Sequence, residues 1–518
     1  MSLTNASPEF FLAVRPDMFG SPQRVLALAT GTYAATISTT PLQTVNGFGA
    51  SGAWWVKDLA LFPADVRQNV SELLLNQTSG LGLTDYRYNL GGGGVGVGTW
   101  DRAPETPYIS DGNYNFSADE AGTFFLKEAA RHGVPIITLF VNSAPTTFTN
   151  NSQNCGGTLI DDRIPAYGQY IADVVSYWKT QGVNITHVSP MNEPDNNFDD
   201  GDPTTLCGQE GMQVTPEQRA AVVSSLHTAF ANASLSTQII ADESSSTGIF
   251  TGDAPIWLSP TVGAELAAVA HHQYSFSSAS AQANMTALAK SLSGGTPTWF
   301  TEICCYAPTD GTGANNTDPL ATIGWGQQYD PTMVGGLRMG NLVYQSLVDA
   351  GDAHWDWWTA LSNGLGSCSP SSGDAGCEHE VNEEGWDDGI IYYDPDFNST
   401  GNYDVILTKR FWILKHFARA APVGGSLLTV STSGTNETSW RAMAFTAPGS
   451  SDLYAIVAMN MQWNASTLSL TFDGAGLPAV SSAFRTSVDE DWAAVTLDVA
   501  DGALVVDAPE MSIYTIFF

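Results

Sequence analysis

Two glutamates stand where a pair of carboxylates could do chemistry. Glu193 ends the run His187-Val-Ser-Pro-Met-Asn192-Glu193-Pro194, and Glu302 ends Pro297-Thr-Trp-Phe-Thr-Glu302. In each, an apolar, strand-like stretch delivers a carboxylate to one rim of a sheet, and Pro194 stops the first strand and fixes its exit. The two lie 109 residues apart, about three βα units. In a (β/α)8 barrel the strand ends at the C-terminal face carry the active site, and ends three units apart face each other across the mouth. Such a pair cleaves glycosidic bonds. One carboxylic acid protonates the leaving oxygen; the other carboxylate attacks the anomeric carbon, or activates water in an inverting enzyme. Burial and mutual repulsion would raise the pKa of the acid partner and keep its proton on.

The elements that would position them alternate from about Thr44 to Arg419. Strand-like runs fall at Asn46–Gly49, Asp85–Asn89, Ile136–Phe140, His187–Pro190, Ile239–Asp242, Ala268–His272, Thr298–Thr301 and Ala353–Trp357. Helix signals lie between them. Ser117-Ala-Asp-Glu120 predicts a capping box with Ser117 at N-cap; Thr215-Pro216-Glu217-Gln218 predicts another. Pro331–Ala350 has helical apolar spacing. Eight runs predict an α/β fold, a (β/α)8 TIM barrel over 44–420. A doubly wound open sheet gives a similar alternation, so the motifs must support the choice. After Pro422, Ser/Thr/Gly-rich stretches separate alternating runs at Arg441–Thr446, Leu453–Met459, Thr467–Phe472, Ala494–Val499 and Ile513–Phe518. They predict a packed side β-sandwich over 421–518. The strand-like stretch Gln23–Thr44 lets an N-terminal segment, 1–43, add to that sheet.

Composition removes several classes of partner. With 53 acidic against 19 basic residues the net charge is −34, which excludes nucleic acid and an anionic membrane. No apolar run is long enough to span a bilayer. Met1-Ser2-Leu3-Thr4-Asn5 lacks the basic and apolar regions of an intact signal peptide. Twelve Asn-x-Ser/Thr acceptors (Asn5, Asn69, Asn76, Asn115, Asn150, Asn184, Asn232, Asn284, Asn315, Asn398, Asn436 and Asn464) favour a secreted glycoprotein. Six cysteines allow fifteen pairings. Cys155 with Cys207 and Cys368 with Cys377 join loop-like sequence. That leaves Cys304-Cys305 as a vicinal bridge or two thiols. No zinc-ligand spacing occurs, so neither metal nor cofactor is expected. Gly91–Gly98 superficially resembles a phosphate loop, but no helix start follows it, so a close-packed loop bordering the cleft is expected. Glu378-His379-Glu380 reads as solvated loop rather than a metal site.

The surrounding motifs make the resemblance specific. Asn192-Glu193 after the fourth strand and Glu302 after the seventh resemble the clan of retaining (β/α)8 glycosidases. Asn46-Gly-Phe-Gly-Ala-Ser-Gly-Ala-Trp54-Trp55, Tyr86-Arg87-Tyr88-Asn89-Leu-Gly-Gly, Asn142-Ser-Ala-Pro145 and the helix Leu407–Arg419 together resemble glycoside hydrolase family 30. The resemblance spans almost the whole chain. It implies that Glu193 is the acid/base and Glu302 the nucleophile, with retention of configuration. Arg87 would hold Glu302 ionised, Tyr274 would hydrogen-bond it, and Asn192 would bind the sugar 2-hydroxyl. His272 would contact sugar or be a core histidine. Of 15 tryptophans, Trp54, Trp55, Trp355 and Trp358 fall at strand ends where aromatic faces could line saccharide subsites.

The expected partner is therefore a plant or fungal cell-wall polysaccharide or oligosaccharide, bound by a monomer. Gly-Ala-Ser-Gly-Ala-Trp-Trp most resembles the branch of fungal endo-β-1,6-galactanases, which implies action on arabinogalactan side chains. The first-strand loop, Trp54-Trp55-Val-Lys57-Asp58, has no Arg for a glucuronate branch, which disfavours glucuronoxylan. β-1,6-Glucanase and xylanase remain alternatives, as does a catalytically silent carbohydrate-binding protein on the same fold.

Overall fold

The computed structural model describes residues 32–199, 201, 205–371, 376–433, 439–473, 476 and 478–518. Met1–Asn5, the Gln23–Gly31 part of the first strand-like stretch and the acceptors Asn5 and Asn436 lie outside them.

Eight parallel strands close into a barrel: β1 (Gly47–Ser51), β2 (Asp85–Asn89), β3 (Ile136–Phe140), β4 (His187–Ser189), β5 (Gln238–Ser244), β6 (Ala268–His272), β7 (Thr298–Glu302) and β8 (His354–Trp357). All eight lie within two residues of the sequence expectation at each end. Strands wrapped by helices lose solvent on both faces and read as short apolar runs rather than alternations, as Ile-Ile-Thr-Leu-Phe in β3 does. The important difference is in β5, which continues past Asp242 through Glu243 to Ser244.

The helix Glu120–Arg131 starts on Asp119, not on Ser117. Asp119 sits at φ 56°, accepts the Gly122 N–H at 3.0 Å, and accepts the Tyr88 hydroxyl at 2.8 Å. A carboxylate that binds both a helix start and β2 fixes the helix against the barrel, which the more distant Ser117 cannot do. At Pro216–Asn232 the expected box is present, and the Thr215 N–H donates to Gln218 Oε1 at 2.9 Å. The helix expected within Pro331–Ala350 spans Met333–Tyr344 and runs on as a π-helical turn, Gln345–Ala350.

All six cysteines pair, as Cys155–Cys207, Cys304–Cys305 and Cys368–Cys377. The first bridge straps the glycine loop. Gly96 O accepts the Cys207 N–H at 3.0 Å, and buried Glu210 accepts N–H groups of Gly92 and Gly94 at 3.0 and 2.8 Å. A Cβ on Gly91 would lie 2.5 Å from the carbonyl oxygens of Pro104 and Glu105, so the close approach requires glycine.

The second domain is one ten-stranded, mostly antiparallel sheet. The strand Thr32–Val45 lies inside it, antiparallel to Gly425–Ser433 and parallel to Ser466–Phe472. Leu468 and Val506 from one half share a core with Ala483 and Ile516 from the other, so the sheet folds back on itself as a sandwich. The run expected at Ala494–Val499 is split into Ala493–Ala494 and Asp498–Ala500. The helix Lys409–Ala420 joins the two domains. Its His416, kept neutral by burial, bonds Thr515 and Thr486 of the sheet at 2.8 and 3.0 Å. Among the described residues no helix is long and apolar enough to cross a membrane.

Two buried acids give the fold a pH dependence. Burial raises Glu210 to about 8 and Asp119 to about 7, although backbone and tyrosine hydrogen bonds oppose it. Unfolded, both lose their protons near pH 4. Between that pH and about 7–8 the folded chain binds more protons than the unfolded one, so stability falls as pH rises. The thermal midpoint should be a few degrees higher at pH 5 than at pH 8, with an upper limit on the order of 7 kcal/mol for the two groups together. A midpoint that rises across this window in calorimetry would contradict the assignment.

Candidate active site

The mouth of the barrel gathers charge from five strands. Glu193 leaves the end of β4 with φ 44°, and Glu302 closes β7. A left-handed φ on a residue with a side chain costs energy and persists only where its surroundings hold it. Here the Glu193 N–H is bonded to Glu243 O at 3.1 Å, and Glu243 itself has φ 67°. One oxygen of Glu193, one of Glu302 and a nitrogen of His272 all lie within 4.8 Å of one another.

Each carboxylate has its own partners. Glu302 Oε2 accepts from Arg87 Nη1 at 2.9 Å, and its Oε1 accepts the Tyr274 hydroxyl at 2.8 Å. Arg87 is fully buried; it also donates to Ser51 Oγ at 2.7 Å and stacks on the Phe140 ring at 4.4 Å. Glu193 Oε1 pairs with His272 Nδ1 at 3.1 Å. Burial, opposed by the His272 contact and helped by the nearby Glu302 charge, raises the Glu193 carboxyl above its ordinary value. One carboxyl is thus shifted toward its protonated form while its neighbour is ion-paired, an asymmetry of the kind that separates an acid from a nucleophile.

The structure brings Glu193, Glu302, Arg87, Asn192, Tyr274 and His272 together. Asn192 and Glu193 line a cleft of about 430 Å³ with Tyr274, Glu302, Trp54 and Trp358. Trp54 and Trp358 meet edge to face, 4.7 Å between centroids. The other two tryptophans lie elsewhere. Trp55 packs on Phe125, and its indole N–H donates to Ser51 O at 3.1 Å. Trp355 is stacked between Phe300 and Trp357 in the core. Side chains alternate along a strand, so Trp355 faces away from the neighbouring, inward-facing His354 and Asp356.

Other groups at the site had no clear sequence signal. Glu243 from β5 meets His272 Nε2 through its Oε2 at 2.7 Å, and its main-chain carbonyl accepts the Glu193 N–H. Trp325 and Trp386 line the cleft; Trp325 sits edge-on to Tyr274 at 5.4 Å and 5.8 Å from Trp386. They come from long loops after β7 and β8, where nothing in the sequence fixes direction. Arg102 also lines the cleft, its guanidinium 4.1 Å from the Trp54 ring centre. Lys57 of the first-strand loop is buried, on Ala103 O at 2.8 Å and on Glu105 at 3.3 Å. The cation of the cleft comes instead from the loop after β2.

Comparison with known proteins agrees with this architecture. The model of O-glycosyl hydrolase family 30 matches residues 34–364. A conserved exported protein from Bacteroides fragilis superposes with a TM-score of 0.72 at 20% identity, covering 94% of this chain and 100% of that one. The catalytic domain of a family 30 xylanase C from Talaromyces cellulolyticus gives 0.65 at 20% identity, over 94% and 99%. An endo-β-1,6-glucanase gives 0.65 at 16% identity, over 95% and 94%. With the family match spanning well over half of the chain, this protein belongs to glycoside hydrolase family 30 and is a glycosidase.

Proposed function

We propose that the protein is a secreted, retaining glycosidase that cleaves β-1,6-linked galactan side chains by double displacement, with Glu193 as acid/base and Glu302 as nucleophile. The observation that carries the mechanism is the approach of the two carboxylates, whose oxygens come within 4.8 Å. Retaining enzymes hold their carboxyl groups about 5–5.5 Å apart; inverting enzymes need about 6.5–9.5 Å to admit a water.

Glu302, ion-paired with Arg87 and oriented by the Tyr274 hydroxyl, attacks the anomeric carbon while Glu193 gives its proton to the leaving oxygen. The glycosyl ester then forms on Glu302. Glu193, now ionised, takes a proton from water, which attacks the same carbon and frees Glu302. Asn192 Oδ1, Asn142 Nδ2 and the Trp54 indole N–H are buried in the cleft wall without a protein partner, which suits a ligand rich in hydroxyls. Trp358 and Trp325 offer faces and edges for sugar C–H groups.

The choice of galactan rests on the first-strand motif, Gly49-Ala-Ser-Gly-Ala-Trp54-Trp55. Arg102 supports a second reading, a glucuronate-decorated xylan, because its guanidinium could take a carboxylate at the cleft. Digestion of de-arabinosylated arabinogalactan, pustulan and glucuronoxylan decides between them. The expected result is β-1,6-galacto-oligosaccharides released first as the β-anomer by NMR. Activity confined to glucuronoxylan would sink the galactan reading; a first-formed α-anomer would sink retention.

A further inference from the structure

The double displacement leaves one buried carboxylate of the barrel mouth without a task. Glu243 has no solvent exposure; its side-chain contacts converge on one oxygen, and its Oε1 has no hydrogen-bond partner among the described residues. Its Oε2 faces His272 Nε2 at 2.7 Å, accepts the Thr301 hydroxyl, and lies 3.6 Å from Arg87 Nη2. Its main-chain carbonyl accepts the Glu193 N–H, so both ends of the residue reach the acid/base system. We propose that Glu243 is a positioning residue that keeps His272 doubly protonated, so that the imidazolium donates to Glu193 and sets its protonation in both halves of the reaction. This rests on Glu193 being the acid/base.

The charges around the pair can be followed element by element. His272 on β6 faces Glu193 from β4, Glu243 from β5 and Glu302 from β7, the last at 3.7 Å, with Tyr274 beyond its own strand. Arg87 from β2 faces Glu243 and Glu302, and the charge of Asp356 on β8 also acts on it. Glu193 faces His272 and Glu302 and feels Asp195. Burial alone would strip the proton from His272, but the three glutamates reverse this and raise it to about 10. Burial alone would protonate Glu243, but Arg87, His272 and Thr301 hold it down to about 2. Both shifts favour the pair as an anion and a cation.

The tautomer follows from the geometry. A doubly protonated imidazole donates from both nitrogens, and Glu193 must accept. Once the charge on Glu243 is removed, His272 has no counter-ion at Nε2 and gives up its second proton more readily, with only Glu193 and Glu302 still facing it at Nδ1. With its remaining proton toward residue 243, Nδ1 can only accept. Glu193 is then bonded best as the acid, and it also loses a cationic neighbour. Both changes raise its pKa. Glycosylation, which needs the acid, extends to higher pH; deglycosylation, which needs the base, slows.

The test is Glu243→Gln, assayed on polymer and on a 2,4-dinitrophenyl glycoside of the sugar that the wild type releases. The alkaline limb of kcat/KM on polymer should move up by about one pH unit. On the activated glycoside, which needs no acid, kcat and KM should fall together by at least about tenfold, with a burst of dinitrophenolate and kcat/KM little changed. Glu243→Asp, which keeps the charge, should return the limb toward its original position. His272→Gln should shift the limb in the same direction, and the double variant should add nothing. A folded Glu243→Gln with an unmoved limb, or with kcat/KM lowered equally on both substrates, overturns the proposal. If that variant does not fold, an unmoved limb in His272→Gln overturns it alone. Failure of the acid/base reading is separate: it would show as full activity on polymer in a Glu193→Ala variant.

Discussion

Glu302→Gln should lower kcat on every substrate by on the order of 10⁴-fold or more, while the protein stays folded and still binds oligosaccharide. The amide is isosteric: its oxygen can still accept from Arg87, which lies 2.9 Å from Oε2, while its NH2 can only donate, to the oxygen of the Tyr274 hydroxyl 2.8 Å from Oε1. What it cannot do is form the glycosyl ester. Loss of a covalent nucleophile removes a whole route, so the effect is about 5 kcal/mol or more of barrel-mouth catalysis. Glu302→Gly with added azide sharpens the assignment. Azide enters from the face that Glu302 occupied, so an activated β-glycoside should give the α-glycosyl azide. A β-azide would mean that Glu302 and Glu193 have been given each other's roles. Residual turnover within tenfold of the wild type would remove Glu302 from the chemistry altogether.

Glu193→Ala should lose about 10²–10⁴-fold on polymer, whose leaving hydroxyl cannot depart unprotonated. A dinitrophenyl glycoside needs no proton, so the first step should survive on it and the second should limit. Turnover should then show a burst, a low KM and acceleration by azide, with the β-glycosyl azide as product, since azide replaces the water on the face that Glu193 serves. The raised pKa of Glu193 predicts the alkaline limb of the wild-type profile, and that limb should vanish in this variant. An unchanged limb would place the titrating acid elsewhere.

The barrel was legible because its strands obey a simple rule. Parallel strands covered by helices must be apolar through their length and polar only at the end that meets the cleft, so Ile136–Phe140 and Ala268–His272 announce themselves. The candidate pair stood out for the same reason, since a glutamate is out of place at the end of such a run. What could not be read was direction. Trp54 and Trp55 are adjacent, and only the packing of Phe125 decides that one faces the cleft and the other the core. Glu243 in Asp242-Glu243-Ser244 has the composition of a solvated loop, and its burial depends on partners from β2, β6 and β7 that are distant in the chain. Arg102 shows the same limit: a side chain from one loop completes a wall begun by another.

The strand Thr32–Val45 has a consequence for how the molecule is made. Its partners arrive late. Thr36 bonds Thr471 across 435 positions of chain, and at about 5–20 residues per second the ribosome needs roughly 20–90 s to supply them. Throughout that interval a long strand with unpaired edges waits while the barrel is synthesised, the situation in which nascent chains pair wrongly or with each other. A catalytic barrel cut free after the helix Lys409–Ala420 would keep the strand waiting permanently. Excision of the barrel should therefore succeed only when the strand is removed with the sheet it completes.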